Sequence, residues 1–319
     1  MTKKIIMGID TSNYTTSLGI VYEDGELIAN LKRPLPVKTG ERGLRQSDAV
    51  FAHIKNIPDI MAEARSFISG KTPVAIGVSM RPRNLDGSYM PCFLSGVSVA
   101  ESVSASLDVP LYKFSHQCGH IMAAIYSSGA YHLLDKSFAA FHVSGGTTEM
   151  LRVSFSGTEF CAELIGGTAD LNAGQVIDRI GAYLGIPFPS GVYLEELAKT
   201  NTKKLPAKKP KLYDMKINLS GLENMARKLF EETNDKSLTA AFVLDYVEKG
   251  MSSLAEAYIQ KFGESEFLFA GGVMSNSIIR ERLKSKFNAH FALPSFSADN
   301  AVGIAELARR SYKKLKGSK

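Results

Sequence analysis

Short apolar runs broken by polar turns recur from the start of the chain. Ile5 to Ile9 is apolar and stops at Asp10-Thr11-Ser12-Asn13; Ser17 to Tyr22 resumes, and Asp24-Gly25 turns the chain into Glu26 to Leu31. Runs of this length bounded by turn residues predict a three-strand meander. Pro34 to Gln46 is rich in Pro, Lys, Gly and Arg with little periodicity, the composition of a surface loop. From Ser47 to Ile68 the spacing changes: Val50, Phe51, Ile54, Ile57, Ile60 and Met61 recur at helical intervals, with Pro58 predicting a kink or a division. A strand at Val74 to Val78, a helix rich in small residues at Phe93 to Leu107 and a strand at Leu111 to Phe114 follow.

The second half repeats the alternation. Strands are predicted at Phe138 to Val143, Glu149 to Phe155 and Phe160 to Ile165, then a helix at Asn172 to Tyr183 that breaks at Gly185 to Gly191. Another helix begins over Tyr193 to Ala198; Leu222 to Phe230 and the long amphipathic Leu238 to Phe262 are also helical. Phe267 to Ala270 reads as a buried strand ending in Gly271-Gly272, with a helix from Ser275 and a last one opened by Asp299 and running through Ala308. Strands and helices alternate throughout, so the fold class is α/β.

Composition bounds the organisation. A chain of 319 residues, 45% hydrophobic, suffices for two lobes. These are expected at residues 1–130, completed by 295–319, and at residues 131–294. The formal charge of +6 is compatible with a polyanionic partner. The densest basic stretches, Lys203 to Lys211 and Arg309 to Lys319, read first as solvated surface and second as contacts for RNA phosphates. Cys92, Cys118 and Cys161 have neither paired nor CxxC spacing, which implies no disulfide framework and a reducing compartment. The first apolar run is too short for a secretion signal and none is long enough to span a bilayer, so a soluble cytoplasmic protein with no membrane partner is expected.

Candidate chemistry gathers around Phe141 to Val153, a strand, glycine turn and strand. Gly145 and Gly146, flanked by Ser144 and Thr147, tolerate positive φ and leave the backbone open to an anion such as phosphate, although a plain hairpin turn has the same pattern. His116 and His120, four apart on a predicted helix, put two imidazoles on one face as in a two-histidine metal site, and Gly119 leaves room for close approach. Asp299 is the best third ligand. Gln117 stands where a zinc protease of the HExxH type has its glutamate, so that general base is missing and peptidase activity is disfavoured. His53, His132 and His290 read as surface or partly buried structural residues, and His142 as a neighbour of the glycine turn. Asp170, Asn172 or Gly174 marks a helix start. Asp178 suits a ribose, and Gly271-Gly272 with Asn276 either forms a strand-to-helix turn or admits an adenine and its sugar.

The opening strand with its acidic, hydroxyl-rich turn resembles that of the acetate kinase, sugar kinase, chaperone ATPase and actin superfamily, which implies two ribonuclease H-like lobes with a cleft between them. The ordered blocks Gly8-Ile9-Asp10-Thr11-Ser12, His116-x-x-x-His120, Val143-Ser144-Gly145-Gly146-x-Thr148, Asp170 to Asp178, Pro189-x-Gly191, Ser220-Gly221-Leu222, Gly271-Gly272-Val273-x-x-Asn276 and Asp299-Asn300-Ala301 resemble the catalytic tRNA threonylcarbamoyladenosine synthase family, once described as glycoproteases. The resemblance implies that His116, His120 and Asp299 hold one divalent metal ion, iron or zinc before magnesium. It also implies that Val143, Ser144, Gly145, Gly146, Thr147, Asp178, Gly191, Gly271, Gly272 and Asn276 bind an adenine nucleotide or the threonylcarbamoyl-adenylate. The implied reaction moves the threonylcarbamoyl group to the exocyclic amine of the adenosine next to the anticodon of tRNA. The implied partners are tRNA and, in bacterial systems, a non-catalytic paralogue and a small ATPase. The chain departs from the family at Asn13-Tyr14-Thr15-Thr16 (family Cys-Asp-Glu-Thr), Thr147 (histidine), Gln175 (glutamate), Glu223 (lysine) and Arg81 to Ser88 (a glycine-rich loop), as a divergent paralogue would. Two other functions fit those departures: a nucleotide-binding scaffold without turnover, and a carbamoyltransferase with another acceptor.

Overall fold

A computed structural model describes residues 2–12, 14–36 and 44–317. Asn13 and most of the loop expected after Pro34 lie outside the described residues. The chain divides into two compact units, one drawn from residues 1–131, 155–161 and 296–319 and the other from residues 132–154 and 162–295.

The first unit is built on five strands: β1 Lys3–Asp10, β2 Thr15–Tyr22, β3 Leu27–Pro34, β4 Lys71–Arg81 and β5 Leu111–Ser115, in the order β3-β2-β1-β4-β5. The meander β1-β2-β3 is antiparallel, and β4 lies parallel to both β1 and β5. Its helices are α1 Gln46–Ile68, α2 Phe93–Leu107 and α3 His116–Ser128. Strand alternation sends Ile5, Met7 and Ile9 to one face, where they pack with Ile60 and Ala64 of α1 and Ala100 of α2. The helix α1 runs undivided through Pro58. Proline removes one hydrogen bond, and the buried Ile60 and Ala64 beyond it still dock on the sheet.

The opposite face is nearly flat because Gly8, Gly19 and Gly77 are register partners across β2, β1 and β4. The last helix of the chain lies on them: a Cβ at Gly8 would fall 2.4 Å from the backbone nitrogen of Ala305, and one at Gly77 would fall 2.8 Å from the Ile304 carbonyl. Helix against sheet is therefore backbone against backbone, and the residues leading into that helix are fixed with it.

The second unit carries β6 Phe138–Val143, β7 Thr148–Phe155, β8 Phe160–Thr168, β9 Leu212–Tyr213, β10 Lys216–Ile217, β11 Glu266–Ala270 and β12 Asn288–Phe291 in a sheet ordered β12-β11-β6-β7-β8-β10-β9. Its helices are α4 Ala173–Tyr183, α5 Gly191–Lys199, α6 Ser220–Thr233, α7 Lys236–Phe262, α8 Ser277–Lys286 and the short α9 Pro294–Ser297, whose last two residues belong to the first unit. Phe141, Phe267 and Phe269 lie at the centre of its core, packed with Val243, Val247 and Met251 of α7. The helix α10, Val302–Gly317, closes the first unit.

Three strands escape the sequence pattern. β9 and β10 have two residues each, too few for a period to register, and β12 alternates over only four. At the C-terminus, α10 starts at Val302 rather than Asp299, because the Asn300 side-chain oxygen accepts from the Val302 N–H at 3.2 Å and caps it. It also runs past Ala308 to Gly317. Before α8, a 3-10 turn occupies Gly272–Ser275, and the helix begins at Ser277 behind an Asn276 cap.

Candidate functional site

The first cluster is local to the first unit. β5 ends at Ser115, whose hydroxyl accepts from the Cys118 N–H at 3.2 Å and starts α3 with His116 in its first turn. Helical geometry sets His120 above it, with ring centroids 4.2 Å apart. Asp299, on the segment ahead of α10, presents Oδ1 3.2 Å from His120 Nε2 and 3.5 Å from His116 Nε2. The three ligand atoms lie within 4.8 Å of one another. The edge of a tetrahedron around a metal with bonds of about 2.0 Å is about 3.3 Å, so the donor set fits one small divalent cation.

Gly119 has a different use from the one expected. A Cβ there would meet Ile304 at 2.8 Å, and one at Gly303 would fall 1.9 Å from the Gly119 carbonyl oxygen. The paired glycines let α3 and α10 touch, which brings Asp299 within reach of the histidines.

Asp10 is a site residue the sequence reading did not single out. It is fully buried at the end of β1 and accepts from His116 Nδ1 at 3.0 Å and from Ser12, through the hydroxyl at 2.9 Å and the N–H at 3.2 Å. The Ser79 hydroxyl also donates to it. With Nδ1 engaged by Asp10, Nε2 is the nitrogen that faces Asp299, the orientation a metal-binding imidazole needs. Burial disfavours charge on all three groups, yet their attraction outweighs it. Asp10 is held below its ordinary range by His116, and Asp299 far below by His116 and His120. His116 is pushed up to about 10 by the two carboxylates. The signal available in the sequence was an acid ending an apolar strand, since a buried carboxylate must find a partner.

The second cluster is local to the second unit. A pocket of about 300 Å³ is lined by Gly145, Asp178, Gly191, Gly272 and Asn276, together with Gly174 and Glu195 among others. Val143 is buried behind it, and Ser144, Gly146, Thr147 and Gly271 lie outside its lining. Neither Gly145 nor Gly146 has positive φ, and a Cβ on either would meet nothing within 4 Å, so the turn is open on its outer side. Two of its amides are already engaged, Gly146 N–H and Thr147 N–H donating to the Ser144 hydroxyl at 3.3 and 3.1 Å. From behind, Gly174 in the first turn of α4 approaches so closely that a Cβ would lie 2.6 Å from the Gly145 nitrogen. Asp178 accepts from the Ser190 N–H at 2.9 Å, and Asn276 accepts from the Ile279 N–H at 3.1 Å, so one oxygen of each has a structural duty. Asp170 caps no part of α4; it holds the start of α6, accepting from the Leu219 and Ser220 N–H groups at 2.8 and 3.1 Å.

A family profile described as tRNA N6-adenosine threonylcarbamoyltransferase matches residues 39–306. The enzyme of that name from Thermus thermophilus is 30% identical, over 97% of this chain and 93% of its own length. The chain belongs to the tRNA N6-adenosine threonylcarbamoyltransferase family. Membership places it among acyltransferase enzymes. The Carboxydothermus hydrogenoformans member is 29% identical over 97% of this chain and 92% of its own. A probable bifunctional tRNA threonylcarbamoyladenosine biosynthesis protein of Methanocaldococcus jannaschii is 26% identical over 97% of this chain and 56% of its own. Among solved structures, full-length HypF aligns with a TM-score of 0.58 at 16% identity, covering 99% of this chain and 56% of that one. Component A of the Acidaminococcus fermentans (R)-2-hydroxyglutaryl-CoA dehydratase aligns with a TM-score of 0.53 at 14% identity, over 97% and 99%. These likenesses agree with the expected two ribonuclease H-like lobes.

Several residues at which the chain departs from the family pattern have local partners. Gln175 accepts from the Asn172 N–H at 3.1 Å and completes the start of α4. Glu223 pairs with Arg227 at 2.7 Å and Arg179 at 3.4 Å. Thr16 bonds His53 Nδ1 at 2.8 Å, and Asn84 donates to the Phe160 carbonyl at 3.2 Å. His53, expected as a surface or partly buried structural residue, is fully buried. Phe51 and Ile54, on the opposite side of α1, carry the exposure instead.

Proposed function

We propose that the chain transfers a threonylcarbamoyl group from threonylcarbamoyl-adenylate to the exocyclic amine of the adenosine next to the anticodon of tRNA. His116, His120 and Asp299 would hold one divalent cation, iron or zinc, with His116 aligned through Nδ1 by Asp10. Bound there, the cation supplies Lewis acidity for the donor carbonyl, so that a weakly nucleophilic amine can attack as the AMP phosphate departs. The observation that carries the reading is the convergence of those three side chains on one point with a buried carboxylate behind them, in a chain of this family.

The pocket of the second unit would take the nucleotide. Of the 143–147 turn, Gly145 lines that pocket and presents backbone without a side chain, and Val143, Ser144, Gly146 and Thr147 would support that contact from beside it. A phosphate there would replace the Ser144 hydroxyl as acceptor of the Gly146 and Thr147 N–H groups and stabilise the negative charge of the leaving group. Asp178 and Asn276 would offer polar atoms to a ribose, and Gly191 and Gly272 line the pocket without side chains, with Gly271 next to the lining. The basic surface, a non-catalytic paralogue and a small ATPase would serve the tRNA and the reaction cycle in the cytoplasm. Among the described residues no helix is long and apolar enough to cross a membrane.

The test is product analysis with threonylcarbamoyl-adenylate, unmodified ANN-reading tRNA and a pool of small amines. Modified adenosine in the tRNA is expected; carbamoylated metabolite with untouched tRNA would contradict the acceptor. A second reading, a nucleotide-binding scaffold without turnover, is favoured by the local partners of Gln175 and Glu223. Modification by the purified chain in the absence of an active paralogue eliminates it.

A further inference from the structure

A second group of three metal-ligating side chains lies within the second unit. His132 sits on the 3-10 turn Tyr131–Asp135 just ahead of β6, Glu266 opens β11 and His290 is in β12. The parallel register pairs Glu266 with Asn288 and Leu268 with His290, so Glu266 and His290 are diagonal neighbours on one face of the sheet. Both imidazoles converge on the same carboxylate oxygen. His132 Nε2 is 3.3 Å and His290 Nε2 3.4 Å from Glu266 Oε2, and the three atoms lie within 4.8 Å of one another.

The His132 contact has the geometry of a hydrogen bond, which accounts for one arm of this arrangement and leaves the other unexplained. His290 Nε2 is buried and has no hydrogen-bond partner despite its distance from Oε2, a state that costs free energy. The two nitrogen-to-oxygen distances match the ~3.3 Å edge of a tetrahedron around a zinc-sized ion. They also match the 3.2 and 3.5 Å edges at His120, His116 and Asp299. We propose that His132, Glu266 and His290 form a second divalent-cation site, of the zinc class, which ties the turn ahead of β6 to the β11 and β12 edge of the sheet.

Lys136 sets the character of the site. Its ammonium lies 2.7 Å from Glu266 Oε1, which orients the carboxylate so that Oε2 faces the histidines. It also cancels the charge of Glu266, whereas Asp10 adds a second carboxylate beside the first cluster. Affinity here is therefore the weaker of the two. The His132 side chain is 44% exposed, so solvent is at hand to complete the coordination.

The full chain carrying Asp299→Ala, stripped with chelator and titrated with zinc alone, isolates this site from the first. A single equivalent of zinc is expected to bind and to raise the melting temperature. His290→Gln in that background is expected to lower zinc affinity by about tenfold or more. Lys136→Met, which removes a cation from the carboxylate and leaves the ligands in place, is expected to raise it by about tenfold. No zinc bound in the Asp299→Ala chain, or affinity unchanged by both substitutions, overturns the proposal and leaves the cluster an ion-pair network. Because the first site is disabled throughout, neither result depends on the proposed transferase activity.

Discussion

At the scale of single residues, Asp10 shows how a buried acid acquires a purpose. Its partner His116 lies 106 positions away, so no local pattern links them, and only the sheet order, in which β4 joins β1 to β5, places them together. Asp10→Asn keeps the shape but replaces one of the two acceptor oxygens with a donor amide and removes the charge, which weakens the hold on the Nδ1 proton. Isothermal titration should show metal affinity at the first cluster reduced by about 10- to 100-fold. His53 makes a separate prediction. Burial lowers its pKa to about 4, against the opposing pull of Asp10 and Asp299, because a charged imidazole beside Thr16 and Asn56 is poorly solvated. A depressed histidine pKa means that the unfolded chain binds the proton first. Its contribution is intact above about pH 6.5 and is lost as pH falls from there toward 4, on the order of 2 to 3 kcal/mol. Urea titrations of the native chain and His53→Gln across that window should converge at low pH.

At the scale of elements, long periodic segments were legible and short ones were not. α2 and β6 begin and end where the hydrophobic pattern places them, at Phe93–Leu107 and Phe138–Val143. β9, β10 and β12 gain their identity from neighbouring strands rather than from their own few residues. The glycine turn after β6 was legible as a turn, but its support was not: Gly174 belongs to α4 and matters because it touches Gly145. Gly174→Ala should force the first turn of α4 away from the 144–147 turn. The expected cost is about 1 to 3 kcal/mol in urea denaturation, with a loss of adenine-nucleotide binding in the same variant.

At the scale of the whole molecule, the two sheets and the His116, His120 pair could be read from the sequence because each rests on spacing within a segment, whereas Asp299 reaches the pair only through tertiary packing. The docking of α10 could not, since it depends on Gly8, Gly19 and Gly77 meeting in register across three strands. That docking carries Asp299 to α3. If this chain transfers the threonylcarbamoyl group as proposed, transfer depends on the triad, and nucleoside mass spectrometry of tRNA incubated with the His116→Ala, Asp299→Ala double variant is the test. The native chain should yield threonylcarbamoyladenosine and the folded double variant none; modification by the double variant at the native level would contradict the claim.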